Sequence, residues 1–119
     1  MRRLTLLFAL LAQPMLAQAV QAQDLASGAA IKAAISGNTV QGSMQASGAY
    51  TEFYAADGTI KGADYAGRWS VAGDQMCFAY GEDPAQCWGV RIAGAQIAWV
   101  GPGGDEGTGQ LIAGNPQGF

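Results

Sequence analysis

The residues of this sequence that could do chemistry are few, and their types exclude most catalytic mechanisms. The chain contains no histidine, which removes the general base of Ser-His and Cys-His nucleophilic catalysis. Two pairs of adjacent carboxylates remain, Glu82-Asp83 and Asp105-Glu106. Both pairs lie in segments flanked by glycine or proline, where adjacent carboxylates are poorly placed to flank one scissile bond. We therefore expect solvated loops at both pairs and a protein that is not an enzyme.

Metal and cofactor sites have little support in the sequence. The segment Gly103–Gly107 and the two residues Asp57 and Asp64 offer carboxylates, but calcium needs about six to eight oxygen ligands at a defined spacing. Gly101-Pro102-Gly103-Gly104 is not followed by the Gly-Lys-Ser/Thr of a phosphate-binding loop. Zinc would need more ligands than two cysteines in a chain that has no histidine. We expect no cofactor and no metal.

The two cysteines, Cys77 and Cys87, are spaced for structure rather than for redox chemistry. Disulfide oxidoreductases use the much closer C-x-x-C spacing. In an oxidising compartment a pair of cysteines most simply forms one disulfide. We predict a structural disulfide between them.

The N-terminal segment indicates such a compartment. Two arginines precede an apolar run from Leu4 to Ala12, Pro14 ends the run, and two sites of the A-x-A type follow. The apolar run is too short for a membrane span, which needs about 20 residues. We predict a signal peptide at residues 1–22, cleavage after Ala22, and a periplasmic or secreted protein.

The remaining residues, 23–119, are acidic. Four basic residues stand against nine acidic ones, so their net charge is about −5. No basic run or stripe is present, which excludes the electrostatic footprint of a nucleic-acid-binding protein. We expect a single β-rich domain whose partner is an unknown protein or envelope component, with no nucleic acid and no membrane span after cleavage.

The order of elements begins with a helix. Residues 23–37 are predicted as one short helix that Asp24 or Ser27 caps and that Gly37-Asn38 ends. Residues 39–48 are rich in Gly, Ser and Gln and are predicted as a connector or a weak edge strand. Short alternating runs from 49 to 113 predict antiparallel strands, followed by a tail at 114–119.

Turn dipeptides fix the register of these strands. Two-residue loops at Gly73-Asp74 and Gly94-Ala95 agree with a direct pairing of Cys77 and Cys87, since all three place the large apolar side chains on one face. A slip of one residue would destroy this agreement. We predict a mainly β fold: a curled antiparallel meander or small barrel of about six strands, with the helix at one end or across the open side.

A recognition surface is predicted on the first of these strands. A two-residue turn at Asp57-Gly58 places Phe53 opposite Gly62 and inside, which turns the neighbouring positions of that strand to solvent. The alternative is that the helix or residues 39–48 cover them. The predicted recognition residues are Tyr50, Glu52 and Tyr54, with Arg68 and Arg91 across the second face.

Several short motifs resemble those of known small secreted proteins. They are Tyr54-Ala55-Ala56-Asp57-Gly58, Gly67-Arg68-Trp69, Met76-Cys77-Phe78 and Cys87-Trp88. An aromatic-x-x-D-G hairpin, G-x-W and two cysteines in this order resemble small secreted proteobacterial proteins of unknown function, the DUF995-like group. The resemblance covers residues 36–93 and implies no activity.

A second likeness is to the secreted metalloprotease inhibitors of bacteria. These are small periplasmic β-barrels with a G-x-W strand, a disulfide and a later Trp strand, here Gly67-Arg68-Trp69, Cys77, Cys87 and Trp99. The likeness implies inhibition through an N-terminal segment, whereas the corresponding segment here is predicted to be helical. The expected function is therefore an exported, non-enzymatic β-domain with a binding or envelope-associated role. The alternatives are a protease or hydrolase inhibitor and a small apolar-ligand carrier.

Overall fold

One helix and eight antiparallel strands form a closed barrel in the computed structural model, which describes residues 24–119. Each strand pairs with the next along the chain, and the last pairs with the first. The predicted signal peptide at 1–22 lies outside the described residues. A mainly β small barrel is confirmed, with two strands more than expected. The elements are α1 (Gly28–Ile35), β1 (Asn38–Met44), β2 (Gly48–Tyr54), β3 (Thr59–Lys61), β4 (Ala66–Ala72), β5 (Gln75–Ala79), β6 (Gln86–Ala93), β7 (Gln96–Gly101) and β8 (Gly104–Ile112).

The helix closes one end of the barrel. Ser27 caps it, because the Ser27 side chain accepts a hydrogen bond from the Ala30 amide at 3.2 Å. The Gly28 amide donates to the Asp74 carboxylate at 2.8 Å, which ties the helix to the β4–β5 turn. Ile31 and Ile35 are fully buried in the core beneath it.

The helix is shorter than the predicted range 23–37, which was wrong at its N-terminal side. Residues 24–27 are not helical. The Ala26 amide donates to the Val90 carbonyl at 2.7 Å, so this segment is hydrogen-bonded to the barrel before the helix begins.

Residues 38–44 form a strand, as one of the two alternatives for 39–48 allowed, but the strand is paired on both sides and is neither a connector nor an edge strand. β1 pairs along its length with β2 on one side and with β8 on the other. Its Gly-, Ser- and Gln-rich composition has low β propensity. The two neighbouring ladders stabilise it instead, and the strands accordingly start at Asn38 rather than at residue 49.

The predicted registers of the central hairpins are confirmed. Trp69 lies opposite Phe78 across the Gly73-Asp74 turn, and Val90 lies opposite Trp99 across the Gly94-Ala95 turn. Cys77 lies opposite Cys87 and forms the disulfide. Most of the predicted apolar face is buried. The buried core cluster is Ile31, Ile35, Val40, Tyr54, Ile60, Trp69, Met76, Phe78, Val90, Ile97 and Trp99.

The β2–β3 hairpin departs from its predicted register by one residue. Phe53 pairs with Lys61 rather than with Gly62. The Ala55 amide donates to the Thr59 carbonyl at 2.8 Å, so three residues rather than two form the loop. Gly58 takes a φ of +93° there, as a three-residue hairpin loop with a left-handed last residue requires. A slip of one residue exchanges the two faces of a strand, which turns Phe53 outward.

Removing the disulfide is expected to cost stability without changing the pairing. In the double variant Cys77→Ser/Cys87→Ser, the free energy of unfolding should fall by about 2 to 3 kcal/mol, because the unfolded chain regains the entropy of a short loop. Urea unfolding of the variant and of the protein reduced by dithiothreitol should give matching losses. Equal stability of the oxidised protein and the variant would contradict the prediction.

Candidate ligand-binding cavity

A cavity of about 550 Å³ lies in the half of the barrel opposite the helix. The β1–β2 turn overhangs it with Ala46 and Ser47, and the inward side chains of the strands form its walls. The four tyrosines of the chain all line it. The lining residues are Met44, Ala46, Ser47, Ala49, Tyr50, Glu52, Tyr54, Tyr65, Phe78, Tyr80, Gln86, Trp88 and Trp99.

Three of the predicted recognition residues lie inside this cavity and not on the solvent face. Tyr54 is fully buried and Glu52 is 5% exposed, while Tyr50 is half-buried. The orientation predicted for them was wrong because the β2–β3 loop has three residues instead of two. The barrel wall encloses them, and residues 39–48, one of the two covers considered, contribute to it through β1 and the overhanging Ala46 and Ser47, whereas no helix residue lines the cavity.

The two predicted recognition arginines lie on the outer surface of the barrel. Arg68 is exposed on β4, where it pairs with Thr59 and Ala79. Arg91 forms an ion pair with Asp105, with 2.8 Å between the Nη1 and Oδ1 atoms. The structure therefore separates these arginines from the inward-facing residues of β2, and the five positions do not form one surface.

The Glu52 carboxylate is held by tyrosine hydroxyls. The Tyr54 hydroxyl donates to Oε1 at 3.0 Å, and the Tyr80 hydroxyl lies 2.7 Å from Oε2 and 3.0 Å from Oε1. The ring of Tyr65 packs against that of Tyr80, with 6.1 Å between their centroids. A carboxylate only accepts hydrogen bonds, and each tyrosine hydroxyl has one proton to donate. The contacts between them are therefore matched. Glu52 is thus the centre of a polar cluster in an otherwise aromatic cavity.

A second set of contacts holds Tyr50 and Trp99 in place. The Trp99 indole donates to the Tyr50 hydroxyl at 2.8 Å, and this hydroxyl donates to the Thr108 carbonyl at 3.0 Å. The rings of Phe78 and Trp99 pack edge to face with 5.2 Å between their centroids. These contacts fix the Tyr50 hydroxyl and the Trp99 ring, so this part of the cavity is pre-formed.

Burial and the nearby Glu52 carboxylate raise the pKa values of the four tyrosines. Loss of solvent is the main reason that the pKa of Tyr54 lies well above its usual value, and the negative charge of Glu52 adds to it. The pKa values of Tyr65 and Tyr80 are raised by the same two causes in the same order. Burial also raises the pKa of Tyr50, although its hydrogen bond with Trp99 acts in the opposite direction.

These shifts predict cooperative alkaline unfolding. A tyrosine whose pKa is raised by folding stabilises the folded state fully below the unfolded value of 10.0, and this contribution is lost as the pH rises above that value. We expect the ultraviolet absorbance of tyrosinate and the loss of β circular dichroism to rise together above pH 10. A tyrosine that ionises near its ordinary pKa while the barrel stays folded would contradict this.

The carboxylate pairs of the sequence do not form an acid-base site. Glu82 and Asp83 are exposed in the β5–β6 loop. On β8, Asp105 points outward to Arg91, whereas Glu106 accepts a hydrogen bond from the Trp88 indole. Strand alternation therefore sends the two members of the second pair to opposite sides. Within residues 24–119, no group of three or more possible metal-ligating side chains is present.

Comparisons of the chain with protein-family models, with curated proteins and with solved structures found no match. In the described part of the chain, no helix has the length and apolar character needed to cross a membrane. The site is therefore interpreted from its own geometry.

Sequence reasoning missed Tyr65, Tyr80 and Trp88 as cavity residues. Their shared feature, aromatic side chains near the loops of one barrel end, becomes visible only when the strand order is known.

Proposed function

We propose that this protein is a non-enzymatic binding barrel that holds one small, largely apolar molecule in its cavity. The observation that carries the proposal is the cavity itself. The aromatic side chains are numerous enough to fill a small barrel, yet a space of about 550 Å³ remains among them. This volume lies within the range of small-molecule sites, about 300 to 1,000 Å³.

The chemistry of the walls supports binding rather than catalysis. Seven aromatic residues face the cavity, while Glu52 is the one acidic residue of the lining. Acid-base catalysis of hydrolysis commonly uses two groups in distinct roles. The hydrogen bonds of Glu52 to Tyr54 and Tyr80 hold it as a fixed acceptor, which suits recognition of a ligand.

The disulfide fits a periplasmic or extracellular location, because disulfides form and persist in oxidising compartments. We propose that residues 1–22 direct export and that the barrel works there as a carrier or envelope-associated binding protein. The likeness to the DUF995-like proteins is compatible with this role and stays a prediction. Protease inhibition also stays a prediction, and none of the contacts described above favours it.

Binding of a neutral fluorescent probe tests the proposal. N-phenylnaphthylamine should bind the purified full chain saturably at one site, with the rise in fluorescence typical of an apolar environment. Ala46→Trp, at the overhanging turn, should abolish this binding by filling the cavity entrance. Ala95→Trp, in the β6–β7 turn at the opposite end, is the matched control and should bind like the wild type. Absence of saturable binding, or equal binding by both variants, would refute the proposal.

A further inference from the structure

We propose that the ligand of this cavity is an organic cation: an amine with an apolar body, whose ammonium group binds beside Glu52. The inference rests on the proposed binding function and specifies its ligand class. Three observations support it: a buried carboxylate, the absence of a cationic partner for it among the lining residues, and the aromatic faces around it.

The carboxylate of Glu52 is the first observation. It is 5% exposed, lines the cavity and accepts hydrogen bonds from tyrosine hydroxyls. Tyrosine hydroxyls are neutral donors, so they satisfy part of the acceptor capacity but do not balance the negative charge. Burying a carboxylate is costly unless it is paired. A barrel that only needed a packed interior would be served better by an apolar residue here.

The described basic residues lie elsewhere. Lys32, Lys61 and Arg68 are exposed, and Arg91 pairs with Asp105 on the outer surface. None of the four lines the cavity. A charge complement for Glu52 must therefore come from what the cavity holds. This requirement favours a cationic ligand and disfavours an anionic one, which would meet a like charge.

The aromatic walls supply the remaining part of such a site. Tyrosine, tryptophan and phenylalanine faces attract ammonium groups through their ring quadrupoles. Tyr54 and Phe78 pack edge to face at 6.0 Å, and Phe78 and Trp88 do so at 5.5 Å, so rings of different orientation surround the space. The same rings bury the apolar body of the ligand.

A bare metal ion fits these walls less well than an organic cation. Calcium takes about six to eight oxygen ligands, whereas this cavity offers one carboxylate among mainly aromatic side chains. A volume of about 550 Å³ is also far larger than one ion requires.

Three ligands that share one apolar body separate charge from apolar burial. Naphthylethylamine, naphthylethanol and naphthylpropionate are cationic, neutral and anionic at pH 7. Calorimetric titration of the full chain should give the tightest binding for the amine, about tenfold or more above the alcohol, as expected for a charge-assisted hydrogen bond. The propionate should bind more weakly than the alcohol.

A pair of matched variants assigns the preference to one carboxylate. Glu52→Gln keeps the shape and should bring the affinities of the amine and the alcohol together, while the alcohol still binds. Glu82→Gln removes one negative charge from the exposed loop and should keep the wild-type preference. Circular dichroism establishes that each variant is folded, and the wild-type series decides the question even if Glu52→Gln does not fold.

The outcomes distinguish the two proposals. Equal affinity of the wild type for the amine and the alcohol would overturn the cation inference and leave the binding function standing. Failure of all three ligands and of N-phenylnaphthylamine would overturn the binding function itself. A folded Glu52→Gln variant that retains the amine preference would overturn the assignment to Glu52, since Glu52 would then be only a structural acceptor for the tyrosines.

Discussion

Replacing Trp99 by alanine is expected to lower the free energy of unfolding by about 3 to 5 kcal/mol, the range for large buried aromatic side chains. Trp99 is 2% exposed and packs edge to face on Phe78. The variant loses apolar burial and this ring contact. The substitution also removes the indole N–H that donates to the Tyr50 hydroxyl, so Tyr50 loses one of the two hydrogen bonds that fix it in the cavity wall. Urea unfolding followed by circular dichroism measures the loss.

Trp99→Phe is the control that separates packing from hydrogen bonding. Phenylalanine keeps an aromatic ring against Phe78 but has no N–H group. The Tyr50 hydroxyl can still donate to the Thr108 carbonyl, so we expect a loss of about 1 to 2 kcal/mol from the missing hydrogen bond and the smaller ring. A loss in Trp99→Ala no larger than that in Trp99→Phe would show that the ring contributes little to the core.

The parts of the fold that could be predicted are those where independent local signals agree. The turns at Gly73-Asp74 and Gly94-Ala95 and the cysteine pair each set a register, and the three registers place one apolar face inside. The structure has those pairings. Likewise, the ring of Tyr80 lies against Gly67, whose missing Cβ leaves it room, as the predicted register requires.

The β2–β3 hairpin had only one local signal, and that signal was ambiguous. Asp57-Gly58 is compatible with a two-residue loop and with the last two residues of a three-residue loop. In the three-residue form, the Asp57 side chain accepts a hydrogen bond from the Thr59 amide at 2.9 Å. No second signal in the sequence tested the register predicted for β2. Because that register was wrong by one residue, Glu52 and its neighbouring tyrosines were expected on the surface but lie in the cavity.

Strand β1 was predicted only as a connector or a weak edge strand for a different reason. Its composition is poor in β-branched and large apolar residues, and its pairing with β8 joins positions that are far apart in sequence, such as Val40 and Leu111. Local propensity carries no information about a partner at that distance. Closure of the barrel, and with it the existence of a cavity, depends on this long-range ladder.

The cavity and the closure are therefore linked. Gly42 on β1 pairs with Tyr50 of β2 on one side and with Gly109 of β8 on the other. The Tyr50 side chain reaches across β1 to β8, where its hydroxyl donates to the Thr108 carbonyl. A Cβ at Gly109 would lie 2.5 Å from the Tyr50 hydroxyl and 2.5 Å from the Val40 side chain. The missing Cβ of Gly109 thus leaves room for the side chains of Tyr50 and Val40.

Gly42→Ala is accordingly expected to lower the free energy of unfolding by about 3 kcal/mol, at the upper end of the usual cost of overpacking. Gly42 lies opposite Gly109 in the β1–β8 ladder. A Cβ at Gly42 would overlap the Thr108 carbonyl oxygen and lie 2.5 Å from the Gly109 Cα atom. Because these are backbone atoms, they can give way only if the two strands move apart. Urea unfolding measures the loss.

Gly103→Ala provides the matched control, since a Cβ at Gly103 meets no atom within 4 Å and its φ is not positive. We expect this control to change stability by less than about 0.5 kcal/mol. Amide hydrogen exchange should show faster exchange in β1 and β8 of Gly42→Ala than in β4 and β5, because the strands that move apart lose their mutual hydrogen bonds. Uniform exchange in the variant, or a loss of stability equal to that of the control, would contradict a closure that depends on the close approach of these two strands.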